Sequence, residues 1–337
     1  MFVQKQLFQQ SLLIVIVALS FGEYMEPSRY ELIQNILRET NYDHSFPPNS
    51  ESVTHVSVQL SVTDLSSEND IKKDIEFTIY LRMNWTDRRL NFEGSNTSYD
   101  VISLGDDIVD DIWLPDLYFH HERKSDLHGF FANNQLVYLH KNGNILYSGR
   151  FSIESHCPME FRKYPFDKQT CPIIIQSYAF PSDILRLNWN GGKNAIKIDN
   201  ESKNNLKVDQ DSVKHTFDPP YPDAVAVFST LTANLVYERQ TASFIIMGPP
   251  FFFFVIALLS FLIRDDFSTR ITLITGTSVS NFVHWTGIRS TLPSDSSFNY
   301  FDILMIVNFI YFGVILTIHI GKRYWKQYKV NRFSCCH

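Results

Sequence analysis

Apolar and polar residues alternate along the first two-thirds of the chain. In residues 56–62, valine and leucine alternate with serine and glutamine, and in residues 75–85 every second residue is apolar. Alternation with a period of two predicts strands that bury one face. Asn142-Gly143 separates two further alternating runs and is a strong hairpin signal. Many short strands with turns between them predict an all-β, immunoglobulin-like sandwich over residues 23–241.

The pattern changes after Arg239, where three long segments with few charges follow at residues 244–263, 269–289 and 303–320. The first and third are uniformly apolar and long enough to cross a bilayer as helices. Two prolines interrupt the first segment, which is tolerable where neighbouring helices satisfy the freed carbonyls. We therefore predict a transmembrane α-helical bundle of three helices over residues 242–320.

The middle segment is long and uncharged inside, but it carries many hydroxyl groups. Five of its residues recur at steps of three and four and share one stripe of a helix: Thr272, Gly276, Val279, Val283 and Thr286. We interpret the stripe as the wet, pore-lining face of a helix. The alternative is a re-entrant or buried polar helix that packs through its small residues.

The ends of the chain predict its topology. Residues 1–22 combine one lysine, an apolar run and small residues, the layout of a secretory signal peptide. Three glycosylation sequons follow, at Asn84, Asn96 and Asn200. Five basic residues in residues 321–337 predict a short cytoplasmic tail. The domain before the helices is thus expected to be extracellular, in a multi-pass plasma-membrane protein.

Composition excludes some functions. The net charge of −6 and the pI near 6.0 argue against a nucleic-acid-binding surface. Aspartate, glutamate and histidine are scattered without a paired acid–base site, a phosphate-binding loop or a metal-ligand cluster. We therefore predict no enzyme activity, no cofactor and no metal site.

Two of the four cysteines, Cys157 and Cys171, flank thirteen residues that include Tyr164, Pro165 and Phe166. After secretion into an oxidising compartment these two cysteines can form a disulfide. The large apolar side chains suit contact with an apolar surface better than contact with water. We expect the loop to press on the helical bundle.

This segment, CPMEFRKYPFDKQTC, resembles the signature loop of the Cys-loop pentameric ligand-gated ion channels. Other segments resemble further motifs of that family in the same order: YLRMNWTDRRL, WLPDLYFHHERKS and GIRSTLP. The stretches HCPM, NGNILYS and FFANNQLVYLHKNG are more similar to the GABA, glycine and glutamate-gated branch. The resemblance implies that the chain is one subunit of a homo- or hetero-pentamer that lies in membrane lipid. A small-molecule neurotransmitter would open this channel to permeant ions. A synapse is one implied location.

The resemblance also implies a transmitter site between two subunits. One side would be a box of aromatic side chains, which attract ammonium groups through cation–π contacts: Phe119, Tyr178, Phe180, Tyr221 and Phe228. Core packing is the alternative for each, and for Phe119 in particular. The other side would be a strand face: Tyr80, Arg82 and Ser152. Arg82 suits a carboxylate because a guanidinium binds it in a bidentate manner, and a rim salt bridge is the alternative. A sugar on Asn84 would crowd this face.

The family also implies gating and selectivity residues. At the domain boundary the gating positions are Glu68, Tyr164, Asp167, Arg239 and Pro293. We expect Glu68 to pair with Arg239, with a static ion pair as the alternative. Val279 stands at the pore constriction, where apolar rings close by dewetting. Thr269 and Arg270 stand at the inner mouth. Arg270 favours anions, so chloride conduction is expected, although the charges of Asp265 and Asp266 oppose it.

The family has a fourth membrane span after a long cytoplasmic loop, whereas this sequence ends about seventeen residues past the third predicted span. Two expectations follow. The chain is a truncated product, or it works without the outermost helix. A second hypothesis is therefore a non-conducting subunit that modulates or suppresses assembly of related channels.

Overall fold

The structure is a computed structural model that describes residues 27–48, 52–199, 206–218, 226–239, 242–264, 266–294 and 296–334. The side chains of residues 66–68, 242–243 and 332–334 are not part of this description. The predicted signal peptide, Asn200 and Tyr221 lie outside the described residues, as does the side chain of Glu68.

The described chain contains a strand-rich part followed by three long helices. The helices span Arg29–Glu39 (α1), Asp106–Val109 (α2), Ala242–Leu259 (α3), Phe267–Arg289 (α4) and Tyr300–Ser334 (α5). The strands span Thr54–Asn69 (β1), Asp74–Thr86 (β2), Val101–Leu104 (β3), Leu117–Phe119 (β4), Glu122–Leu127 (β5), Gln135–His140 (β6), Asn144–His156 (β7), Lys168–Ser177 (β8), Leu185–Trp189 (β9), Ile196–Ile198 (β10), Leu206–Asp218 (β11) and Phe228–Glu238 (β12).

These strands form two sheets. The larger, sheet A, has the order β10-β1-β2-β7-β6-β3, with β5 paired to β7 and β9 paired to β1. The smaller, sheet B, has the order β11-β12-β8-β4. The alternating side chains of both sheets meet in one apolar core that includes Phe77, Trp85 and Leu231. The predicted β-sandwich is therefore present.

The hairpin between β6 and β7 shows why local sequence determines this part of the fold. Gly143 has φ +79°, a left-handed conformation that glycine adopts without steric cost. A Cβ atom there would lie 2.4 Å from the carbonyl oxygen of Asp87. The turn therefore requires glycine, as the Asn142-Gly143 signal predicts.

The three long helices pack on one another, and α4 contacts both α3 and α5. Pro250 has no backbone N–H, so the carbonyl of Ile246 loses its helical partner. His284 of α4 supplies one, because its Nε2 lies 2.9 Å from that oxygen. The neighbouring helix thus satisfies a carbonyl that proline freed, as the sequence analysis expected.

Length and apolar composition single out one helical stretch of the described chain, Tyr300–Asn331, as able to cross a membrane. The apolar stretch Phe244–Leu259 in α3 is shorter, and α4 does not meet the same criterion. The prediction of three transmembrane helices therefore remains a prediction. The last helix also continues past residue 320 into the predicted tail, where Arg323 lies 4.2 Å from the ring centroid of Phe267.

Candidate functional site

The disulfide loop lies where the sandwich meets the helices. Cys157 and Cys171 are joined by an S–S bond of 2.02 Å, and both are buried. Phe161 and Tyr164 turn inward and are also buried, whereas Phe166 is 58% exposed. Phe166 lines an apolar cavity of about 640 Å³ together with residues of α3 and α5. The loop therefore contacts the helices. Phe166 makes this contact, whereas Phe161 and Tyr164 are buried in the β domain.

A buried ion-pair cluster stands beside this loop, just after β12. The guanidinium of Arg239 donates to Asp70 Oδ1 at 2.8 Å and to Asp167 Oδ1 at 3.1 Å. It also lies 5.2 Å from the ring centroid of Tyr164. The side chain of Arg239 is only 7% exposed and that of Asp167 only 1%. A second buried contact orients Asp167, since the amide of Gln169 donates to its other oxygen.

Burial and neighbouring charges shift the pKa values of Tyr164 and Arg239. Burial raises the pKa of Tyr164 to about 12, and the carboxylates of Asp70 and Asp167 add to the rise against the opposing charge of Arg239. Burial alone lowers the pKa of Arg239, but its hydrogen bonds and charge interactions with the two carboxylates raise it on balance. Tyr164 is therefore neutral and Arg239 charged at physiological pH.

The cluster reaches the end of α4. Tyr164 lies near Thr291, two residues beyond the helix, and the Thr291 side chain acts to lower the pKa of Tyr164 against the larger effect of burial. Leu292 and Pro293, which follow, are buried. Three predicted gating residues, Tyr164, Asp167 and Arg239, thus share one cluster.

Sequence reasoning missed Asp70. The predicted pairing of Glu68 with Arg239 stays a prediction, because the side chain of Glu68 lies outside the described residues; its backbone lies in β1 opposite Ile75. Asp70 is 169 residues from Arg239 in sequence, so no local pattern links the two residues. The only available signal was the acidic stretch "END" in the turn between β1 and β2.

A second polar contact joins α4 to α5 near the boundary. Asp302, which is 2% exposed, accepts from Trp285 Nε1 at 2.9 Å and lies 3.3 Å from Arg289 Nη1. Arg289 also donates to the hydroxyl of Ser296 at 3.1 Å. These contacts hold the C-terminal end of α4 against the start of α5.

Sheet A carries the predicted carboxylate-binding strand face. Along β2, Leu81 and Met83 are buried in the core, whereas Tyr80 and Arg82 lie half-buried on the outer face. The Arg82 guanidinium lies 5.9 Å from the Tyr80 ring centroid. Asn84, one of the predicted glycosylation sites, is half-buried on this same face.

The strand register changes the prediction for Ser152. Arg82 lies directly opposite Ser148, and Tyr80 lies opposite Arg150. Ser152 instead lies opposite Thr78, with the two hydroxyl oxygens 3.3 Å apart. Ser148 is therefore the hydroxyl beside Arg82. Alternation along β7 places Ser148, Arg150 and Ser152 on one face, and only strand pairing selects among them.

The predicted aromatic residues lie on or beside sheet B. Tyr178, which follows β8, is 78% exposed, and its ring meets that of Tyr118 edge-on at 5.7 Å. Phe119 is instead 8% exposed and belongs to the core, as its core-packing alternative predicts. Phe180 is partly buried against Trp113, with ring centroids 6.1 Å apart.

Tyr118 is thus a candidate that sequence reasoning missed by one position. Its hydroxyl donates to Gln176 Oε1 at 3.1 Å, and burial followed by the nearby Tyr178 raises its pKa. A shift of one residue along a strand moves a side chain to the other face. Phe228 begins β12 and is half-buried.

The two halves of the predicted transmitter site lie on different sheets of one chain. Tyr80, Arg82 and Ser152 belong to sheet A, whereas Phe119 and Phe228 belong to sheet B. A single chain offers each half separately. Within the ranges that the structure describes, no group of three or more His, Cys, Asp or Glu side chains is placed to hold a metal ion.

The stripe on α4 faces away from the other helices. All five of its residues are exposed in the single chain: Thr272, Gly276, Val279, Val283 and Thr286. The buried residues Ile274, Thr277 and Asn281 form the opposite side of the helix. The helix therefore presents the predicted stripe outward, where a neighbouring chain or water could meet it.

The start of α4 contains the predicted selectivity residues. Asp266 caps the helix by accepting from the backbone N–H of Thr269 at 3.1 Å, and the Thr269 hydroxyl donates to the same carboxylate. Arg270 is half-buried, and its Nε donates to the carbonyl of Ile263 at 2.9 Å. Asp266 is thus engaged as a cap, whereas Arg270 is held toward the end of the preceding loop.

Fold and site together define a receptor-type β-sandwich that is joined through a disulfide loop and a buried ion-pair cluster to apolar helices. The family model for the neurotransmitter-gated ion-channel ligand binding domain matches residues 29–241. The chain therefore belongs to the neurotransmitter-gated, or Cys-loop, ion-channel family, on the branch of the GABA receptor subunits.

Similar curated proteins support this assignment. Gamma-aminobutyric acid receptor subunit rho-1 of Mus musculus is 28% identical over 285 residues, which cover 82% of this chain and 58% of the relative. Subunit rho-2 of Homo sapiens is 27% identical over 285 residues, covering 82% and 60%. The chain thus spans about three-fifths of the length of these relatives. They are named as receptor subunits, not as enzymes.

Proposed function

We propose that the chain is a subunit of a channel that a small-molecule neurotransmitter opens. The observation that carries the proposal is the buried ion-pair cluster, in which Arg239, Asp167 and Tyr164 join β12 to the disulfide loop and Tyr164 lies near Thr291, beyond α4. Such a contact gives strand motion a direct route to the helix that bears the exposed stripe.

The transmitter site proposed here lies between subunits. Tyr178, Phe180, Phe228 and Tyr221 of one subunit would receive an ammonium group, with Tyr118 in place of the buried Phe119. Arg82 of the neighbouring subunit would bind a carboxylate, with Ser148 closer to it than Ser152. Arg82 makes no ion pair with another described residue, and Tyr178 is 78% exposed, which supports a role of both toward a ligand.

Gating would follow from movement of strands β8 and β12 when the two halves close on the ligand. Strand β8 begins at the cluster, directly after Asp167, and strand β12 ends there, directly before Arg239. Asp70 fixes the same guanidinium from the turn after β1. A shift there acts through Tyr164 and Thr291 on the C-terminal end of α4. We propose that this shift rewets a ring of Val279 side chains.

We propose that the pore conducts anions, chloride foremost. Arg270 brings a positive charge to the start of α4. Asp266 opposes that charge, although its carboxylate is hydrogen-bonded to the first turn of the helix as a cap.

The proposed topology has an extracellular domain over residues 23–241, a membrane domain over residues 242–320 and a cytoplasmic tail over residues 321–337. Asn84, Asn96 and Asn200 would then carry extracellular sugars. Subunits of this kind would assemble as a pentamer in the lipid of the plasma membrane. A synapse is one proposed location.

Voltage clamp of cells that express the chain tests the proposal. We expect current evoked by an amino-acid or amine transmitter, with GABA first in the panel, and a reversal potential that follows chloride rather than sodium. Arg82→Gln should raise the half-maximal concentration at least about tenfold, by loss of a charge-assisted pair. Arg88→Gln, an exposed arginine outside the strand face, is the control. Absence of current alone, with altered currents of a co-expressed relative, would instead favour the modulatory subunit.

A further inference from the structure

Among the described residues of the β domain, the most exposed aromatic side chains are two adjacent phenylalanines in the loop between β5 and β6. Phe130 is 89% exposed and Phe131 is 97% exposed, and their rings meet edge-on at 4.6 Å. Neither side chain packs on the core. Large aromatic side chains left in water at one spot are typical of a surface that another molecule covers.

The base of this loop is held by hydrogen bonds on both sides. Gly129 and Asn133 form a bridge, and the backbone N–H of Asn134 donates to the carbonyl of His128 at 2.6 Å. Asp106 accepts from the backbone N–H of Asn133 at 3.2 Å. The pair therefore stands at the tip of a short hairpin whose base is already ordered, which lowers the entropy lost on docking.

The loop is continuous with the strand face that is proposed to meet a neighbouring subunit. His128 Nε2 lies 2.8 Å from Ser152 Oγ, and the carbonyl of Asn134 accepts from the N–H of Arg150 at 3.0 Å. Leu136, which is 37% exposed, lies in the same cross-strand row as Ser148. Hydrogen bonds and strand pairing thus join the loop to the row that contains Arg82, and Leu136 adds an exposed apolar side chain between them.

The opposite face of the same chain offers apolar residues that could receive the pair. Phe217 is 51% exposed and Val227 is 40% exposed, and both lie on or beside sheet B. In a ring of like subunits each interface joins two different faces, so one chain must carry both partners of the contact. Sheet A with the phenylalanine pair and sheet B with these residues meet that requirement.

We propose that Phe130 and Phe131 form an assembly contact that packs on the sheet B side of a second copy of this chain. The inference rests on the proposed function in assuming that like subunits assemble, but it does not require the assembly to conduct ions. Aromatic side chains, phenylalanine among them, are enriched at protein interfaces, and the residues that dominate affinity cluster in well-packed, fully desolvated pockets.

Replacement of both residues tests the proposal. The full chain and its F130S/F131S variant are purified in detergent, and light scattering measures the assembled fraction against concentration. We expect the concentration for half-assembly to rise at least about tenfold. F130L/F131L should retain most of the assembly, because leucine keeps much of the apolar surface. Phe46→Ser, at a residue that is 64% exposed elsewhere, should leave it unchanged.

A photo-reactive phenylalanine analogue at position 131 identifies the partner. We expect cross-links between two chains that map to residues 172–180 or 206–239. Protection of Cys157 and Cys171 from alkylation shows that the disulfide loop of each variant has formed. Unchanged assembly of the serine variant, a chain that stays monomeric, or cross-links only to lipid or to another protein would each overturn the inference. Pair-dependent assembly without evoked current would leave it standing while the proposed function fails.

Discussion

The buried charge of Arg239 makes the sharpest prediction about this protein. In the substitution Arg239→Gln, the side chain keeps some hydrogen-bonding capacity but loses the charge. Asp167, which is 1% exposed, and Asp70, which is 15% exposed, would then face each other without the guanidinium. Both carboxylates would then be largely removed from water, and no other described cation pairs with them.

The size of the effect follows from that burial. Breaking a buried pair by removing one partner costs about 3–5 kcal/mol, because an uncompensated charge stays buried. For a domain of 150–250 residues, 1 kcal/mol corresponds to about 2–4 °C in melting temperature. Arg239→Gln should therefore lower the melting temperature of the β domain by about 6–20 °C.

Thermal unfolding of the purified full chain in detergent, followed by near-ultraviolet circular dichroism, measures the shift. Lys193→Gln is the control, since the pair of Lys193 with Asp211 lies in solvent and should contribute no measurable shift. Asp167→Asn alone should also destabilise the domain. The double variant should lose less than the sum of the two single losses, since both changes remove one interaction.

The reasoning fails if Arg239→Gln melts within about 2 °C of the parent chain while its disulfide remains intact. It fails equally if the single losses of Arg239→Gln and Asp167→Asn add fully, because additivity would mean that the two residues do not interact. A coupled loss of stability together with a raised half-maximal transmitter concentration would support the gating role of the cluster beyond its structural one.

Three other predictions concern separate parts of the chain. His284→Ala leaves the carbonyl of Ile246 unpaired and should destabilise the helices by about 1–3 kcal/mol, measured by melting, whereas Asn at that position should restore part of the loss. Val279→Cys should react with aqueous thiol reagents, while Thr277→Cys, on the buried side of α4, should not; equal reactivity would contradict the wet stripe. Burial and the nearby Arg186 lower the pKa of His215, so its contribution to stability is present above pH 6.5 and is lost on acidification; His215→Asn should flatten the fall in melting temperature between pH 7.5 and 5.5.

Several features of this protein followed from the sequence because they depend on neighbours along the chain. The alternation in residues 75–85 determined which side chains of β2 enter the core, since strand side chains alternate between faces. Asn142-Gly143 determined a turn because glycine alone accepts the left-handed backbone at no cost. Steps of three and four residues determined the stripe on α4, which the packed helix presents outward.

Other features were decided by the tertiary structure, because they depend on which distant segments meet. Asp70 reaches Arg239 across 169 residues, and no periodicity carries that information. The pairing of β2 with β7 put Ser148 rather than Ser152 opposite Arg82. Neighbouring residues of a strand lie on opposite faces, so Tyr118 contacts Tyr178 while Phe119 lies in the core. Periodicity determines the face on which a side chain lies, whereas strand pairing and the packing of the sheets determine what it meets there.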